Sequence, residues 1–224
     1  MPIPMLSLLE VRVLGVLIEK QHTVPDTYPL SLNALVAGCN QKSSRDPVMN
    51  ASNAEVQAAI VRLKSLSLVM EGSGSRVTRY EHNINRVLQL PPQSVALLAI
   101  LMLRGAQTPG ELRINCERLY KFSDISSVAV FLNELRDRAA GALVSELSRK
   151  SGSRENRWAQ LLSGEPESEA MAHAQPAVPV AGDVTLGELA ALKANVLRLE
   201  DQVGRLRAAL EKVCKELGIA DPGL

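Results

Sequence analysis

The same order of segments occurs twice in this chain, and that internal repeat constrains the fold more than any other feature. Between Ser7 and Lys20, the residues Val11, Leu14, Leu17 and Ile18 fall on one stripe of a helix. The spacing recurs 84 positions later in Val95, Leu98, Leu101 and Met102. Both segments predict amphipathic helices. A second helix carries Leu32, Val36 and Cys39, echoed 80 positions on by Leu112, Cys116 and Leu119. In the later copy, Thr108-Pro109-Gly110-Glu111 makes a capping box with proline at the first helical position.

A third helix follows in each copy, with Val56, Ile60 and Leu63 answered 72 positions later by Val128, Leu132 and Leu135. Ser52, and Asp124 or Ser126, supply N-cap oxygens. Then comes a β-prone run, Leu68-Val69-Met70 or Leu143-Val144-Ser145, a polar turn, and a second β-prone stretch. The turns share the tetrapeptide Ser73-Gly74-Ser75-Arg76 and Ser151-Gly152-Ser153-Arg154, and the same 78 residues separate Arg79 from Arg157 and Tyr80 from Trp158. Three helices followed by a two-stranded ribbon is the order of a winged helix. The expectation is a mainly α protein with small β-hairpins (α+β), made of tandem winged-helix domains at residues 1–88 and 89–162. With 3% aromatic residues the cores must be aliphatic, which suits helices better than a large sheet.

Residues 163–183 are rich in Glu, Ala, Pro and Ser without periodicity and predict a flexible linker. Helix resumes at residues 184–218, where Thr185 and Glu188 form a capping box. Leu189, Leu192, Val196, Leu199, Val203, Leu206, Leu210, Val213 and Leu217 then alternate spacings of three and four. That is a coiled-coil seam, and a homodimer is the partner state it implies. An ordinary helix packed on its own domains is the alternative.

Composition narrows the function. Residues 1–88 hold nine basic against seven acidic side chains, residues 89–162 ten against seven, and residues 163–224 six against ten. The mildly basic front is compatible with nucleic-acid contact. Cys39, Cys116 and Cys214 lie far apart with no Cys-x-x-Cys pair, so neither a disulfide framework nor a zinc site is expected. His22, His82 and His173 have no ligand-spaced neighbours, and no phosphate-binding glycine loop, nucleophile elbow or paired-carboxylate motif occurs. The chain is expected not to be an enzyme and to need no metal or cofactor. Without a leader-type N-terminus or a long apolar run, the expected compartment is the cytoplasm, away from membranes.

For double-stranded DNA, the candidate contacts fall in two places. Lys42, Ser43, Ser44 and Arg45 precede the third helix of copy one. Arg76 and Arg79 lie in the first ribbon, and Arg149, Lys150, Arg154 and Arg157 in the second. The bland account of the first group is a fixed loop in which Arg45 pairs with Asp46 while Val48 and Met49 anchor it to the core. The bland account of the second is a solvated hairpin. Tyr80 and Trp158 read as core closures, and Arg104-Gly105 as a helix C-terminus.

The run Cys39-Asn40-Gln41-Lys42-Ser43-Ser44-Arg45-Asp46-Pro47-Val48-Met49-Asn50 resembles the YceH family of uncharacterised bacterial proteins. Further matches are Leu17-Ile18-Glu19-Lys20-Gln21, Gly74-Ser75-Arg76-Val77-Thr78-Arg79-Tyr80-Glu81, and Leu103 through Arg113, so the resemblance covers about residues 5–165. It implies a tandem winged-helix fold and brings no catalytic residues. The functional expectation is a dimeric DNA-binding regulator or nucleoid-associated factor. The alternative is an adaptor whose domains dock an unknown protein partner.

Overall fold

The computed structural model describes residues 4–72, 77–149 and 155–165. The coiled-coil expectation at 184–218 and nearly all of the 163–183 linker fall outside them.

Helix α1 (Leu8–Thr23) starts where the Ser7 hydroxyl accepts from the Glu10 amide and the Glu10 carboxylate accepts from the Ser7 amide. A short strand β1 (Leu30–Ser31) leads into α2 (Leu32–Cys39), capped by Ser31. A long connection then reaches α3 (Asn53–Ser65), which has a Ser52/Glu55 capping box. Strands β2 (Val69–Gly72) and β3 (Arg79–His82) form an antiparallel hairpin in which Val69 faces His82 and Gly72 faces Arg79. β1 adds to its far side, giving the order β1-β3-β2.

A single-turn helix α4 (Ile84–Leu88) joins this to the second copy: α5 (Pro92–Arg104), α6 (Pro109–Asn115), α7 (Ile125–Arg136), β4 (Val144–Leu147) and β5 (Arg157–Gln160). Val144 faces Gln160 and Leu147 faces Arg157. Gln107 forms an isolated bridge with Trp158, in the place where β1 meets Tyr80 in copy one. The two copies thus share the order helix, short strand, helix, helix, hairpin.

The third helices match the sequence reading, with Val56, Ile60, Leu63, Val128, Leu132 and Leu135 all buried. The second helices differ from it. Their caps, Ser31 and Thr108, set an offset of 77 rather than 80, so Leu35 corresponds to Leu112 and Cys39 to Cys116, and all four are buried. Leu32 and Val36 are only partly buried, because the cap fixes the helix start and hence which face turns inward.

The first helices are also not one-sided. Every residue from Glu10 to Ile18 in α1 and from Ser94 to Leu103 in α5 is buried. A helix buried all round lies inside a core rather than on its surface. α1 and α5 pack against each other: a Cβ on Gly15 would lie 2.9 Å from Leu103 Cγ. The Leu6 amide also donates to the Leu162 carbonyl. The boundary at residues 88/89 therefore separates two copies of an element order that share one buried cluster.

Candidate nucleic-acid interface

In a helix–turn–helix, the third helix of each copy would carry the outward recognition face. On α3 this face presents Asn53, Ala54, Ala58 and Val61 to solvent. Its two cations are engaged. Arg62 Nε lies 3.1 Å from Glu10 Oε1, with a second bond from Arg62 Nη2 to the Met5 carbonyl, and Lys64 pairs with Glu71. On α7 the outward face carries Ile125, Ser126, Val130, Asn133 and Glu134. Arg136, at its end, pairs with Asp137 and Glu146 while its guanidinium sits 5.6 Å from the Trp158 ring centroid.

The connection between α2 and α3 is held by buried polar bonds. Arg45 is 6% exposed, and its Nη1 and Nη2 donate to the two Glu19 carboxylate oxygens at 3.1 and 2.6 Å, while its Nε donates to the Gly38 carbonyl. Burial pushes the Glu19 carboxyl up, but the bonds and charge of Arg45, helped by Lys20, more than offset this and hold it below its ordinary value. Arg12, 1% exposed, donates to the carbonyls of Cys39 at 3.1 Å and Pro47 at 2.7 Å. Asn40 and Ala51 exchange two bonds across the base of the loop. The second copy holds the other side: the Asp46 amide donates to the Leu103 carbonyl and Arg104 Nη2 donates to Ser44 Oγ at 2.7 Å.

This corrects three expectations. Arg45 does not face solvent as a phosphate contact, since a bidentate, buried partner occupies its fork; nor is that partner Asp46, because the loop turns Arg45 inward onto α1. Val48 does not anchor the loop, being 58% exposed. Lys42 and Ser43 are exposed and Ser44 is half-buried. Arg12 was not singled out in the sequence, although a charged residue inside the apolar run 11–18 was a usable signal, since such a group is buried only when paired; Glu19, just after the run, figured only in the family resemblance.

In the ribbons, Arg79 donates to the carbonyls of Pro29 at 2.8 Å and Thr27 at 3.2 Å, tying β3 to the turn before β1. Arg149 is exposed and Arg157 half-buried, whereas Arg76, Lys150 and Arg154 lie outside the described residues. Tyr80 and Trp158 are both 5% exposed, as expected of core closures. α5 ends at Gly105, whose φ of +71° is a region that favours glycine.

Among the described residues no group of His, Cys, Asp and Glu is placed to hold a metal ion, and no helix is long and apolar enough to cross a membrane. Cys39 and Cys116 are free, and burial pushes each thiol up to about 12. His82 Nε2 lies 2.7 Å from Gln21 Oε1, and its backbone amide donates to the Tyr28 hydroxyl. Because Gln21 Oε1 can only accept, Nε2 carries the proton of the neutral ring. Nδ1 is then a buried atom without a partner.

Burial, with His22 adding a smaller effect, lowers His82 to about 4. The unfolded chain, with a histidine near its ordinary 6.5, binds the proton first, so stability is full above that pH and falls as pH drops from about 6.5 to about 4. After discounting for the ring's partial exposure, the loss is about 1–2 kcal/mol. Urea midpoints across this window are expected to fall in the wild type and to flatten in His82→Gln; parallel curves would assign the acid sensitivity elsewhere.

Several bacterial proteins are close to this chain in sequence. A UPF0502 protein of Burkholderia orbicola is 58% identical over 214 residues, covering 96% of this chain and 90% of its own length. A UPF0502 protein of Dechloromonas aromatica is 57% identical over 213 residues, covering 95% and 98%. Residues 6–153 match the profile of a family described as a protein of unknown function, DUF480. With every helix from α1 to α7, the polar loop between α2 and α3, the first hairpin and strand β4 inside that match, the chain belongs to the DUF480 family of uncharacterised proteins.

Proposed function

We propose that this chain is a cytoplasmic binding protein built from tandem winged helices, not an enzyme, and that its first copy lies on double-stranded DNA. The observation that carries this is the clear outward face on the first half of α3, beside the β2–β3 ribbon. Asn53 stands there, with Gln57 half-buried next to it, and amide side chains pair with adenine edges in a major groove. Lys42 and Ser43, exposed ahead of the helix, and the ribbon arginines would hold the phosphates.

Fluorescence anisotropy with labelled duplexes at low salt is the direct test. Changing Arg76, Arg149 and Arg154 together to Ala is expected to weaken binding at least tenfold and to flatten the dependence of log K on log salt, each lost phosphate contact removing about one unit of slope. No affinity in the wild type, or an unchanged slope in the variant, rejects the reading.

A second reading rests on α7. Its outward face exposes Ile125 at 46% and Val130 at 54% beside Glu134, and its terminal Arg136 is taken up by Asp137 and Glu146. An apolar face without available cations suits a protein partner better than phosphates. A crosslinking pull-down that recovers one stoichiometric protein regardless of DNase favours this adaptor role; recovery of DNA alone counts against it.

The nine heptad residues from Leu189 to Leu217 support a homodimer. Deleting residues 185–218 is expected to halve the mass seen by light scattering, and an unchanged mass would discard the zipper.

A further inference from the structure

We infer that α3 reads the major groove at an A·T base pair through an amide that the neighbouring helix sets in place. Asn53 meets the adenine, and Asn33 on α2 is its positioning residue. This deepens the DNA reading above and rests on it.

Asn53 is exposed in the first turn of α3, and its Nδ2 donates to Asn33 Oδ1 at 3.3 Å. The bond takes one of the two Nδ2 hydrogens and leaves the other, together with Oδ1, for a ligand. That is one donor beside one acceptor, the complement of adenine's N7 and N6 amino group. Guanine presents two acceptors, N7 and O6, so its O6 would face Oδ1 with no hydrogen between them. Ordering an exposed side chain beforehand removes part of the entropy that binding would otherwise cost, and that is what Asn33 supplies.

The surroundings fit the same base pair. Residues 53–59 hold no Arg or Lys, the side chains that pair with guanine, and Arg62 and Lys64 beyond them are tied to Glu10 and Glu71. The exposed methyls of Ala54 and Ala58 suit the methyl of thymine. Glu55, which would repel phosphates, is bent back onto the amide and hydroxyl of Ser52. Gln57 is less suited to adenine than Asn53, because its Oε1 accepts from the buried Tyr80 hydroxyl at 3.4 Å and its hydrogens are what it has left to offer.

Selection by the full chain from a duplex pool with random cores, followed by sequencing, tests the inference. The expected result is a position at which adenine dominates. Anisotropy at fixed salt should then find binding about tenfold weaker when that pair becomes G·C, and equally weaker when it becomes inosine·C. Inosine carries guanine's major-groove edge without its minor-groove amino group, so this pair separates the two grooves. Asn53→Ala should bring the three duplexes together. Asn33→Ala should narrow the ratio of A·T to G·C binding by about threefold, while binding of the G·C duplex and melting stay as in the wild type. Both side chains are exposed, so neither variant threatens folding. Salt-dependent retention with no preferred base overturns the inference and leaves the DNA reading standing, whereas no retained DNA removes both. An inosine·C duplex bound as tightly as the A·T one, or a ratio that either variant leaves unchanged, also overturns it.

Discussion

Replacing Arg45 with Ala is expected to lower the unfolding free energy by about 3–5 kcal/mol, because it strands a buried carboxylate rather than merely deleting a contact. Glu19 is 14% exposed and receives both arms of the guanidinium; without them only the more exposed Lys20, 3.2 Å from Oε2, balances its charge, and the Gly38 carbonyl loses its donor. Urea unfolding followed by circular dichroism measures the change. The double variant Glu19→Gln, Arg45→Met should be more stable than Arg45→Ala alone, since it removes both charges and keeps most of the volume. A loss under about 1 kcal/mol for Arg45→Ala would mean that the loop is not held by this pair. The same experiment bears on function: if Arg45→Ala stays folded and loses DNA affinity far beyond its stability loss, its exclusion from the phosphate contacts is wrong.

Gly38→Val should cost about 3 kcal/mol through overpacking between α1 and α2. A Cβ at Gly38 would already stand 2.6 Å from Val16 Cγ1, and Val16 is fully buried on a helix where a β-branched side chain has one favoured rotamer. Neither helix can yield without disturbing the bonds that Arg12 and Arg45 make to the end of α2. Adding Val16→Ala makes room, so the double variant should be less destabilised than the two single effects summed, by at least about 1 kcal/mol. Additive losses would place the strain elsewhere.

Much of the local structure is legible in the residues. Ser52 with Glu55 and Thr108 with Glu111 start their helices in the expected positions, and Tyr80 and Trp158 close the two hairpins. The second helices show where pattern matching slips. Leu32 and Val36 fit an apolar spacing, yet the hydroxyl cap at Ser31 sets the phase and turns Leu35 inward instead. The candidate DNA contacts were chosen by charge and position in the chain, and charge alone cannot reveal whether a cation is already spent. Arg45 and Arg79 each have partners that only the fold supplies.

The sequence by itself determined what depends on near neighbours: helix starts, hairpin anchors and the duplicated order of elements, because caps and periodicity act over three or four residues. Only the tertiary structure decided which side chains are enclosed on every side and which charges meet. Glu19 and Arg45 stand 26 residues apart in the chain, and α1 and α5 belong to different copies. Their juxtaposition follows from burying two helices on every side along their central turns, and no spacing within either segment encodes which partner covers it.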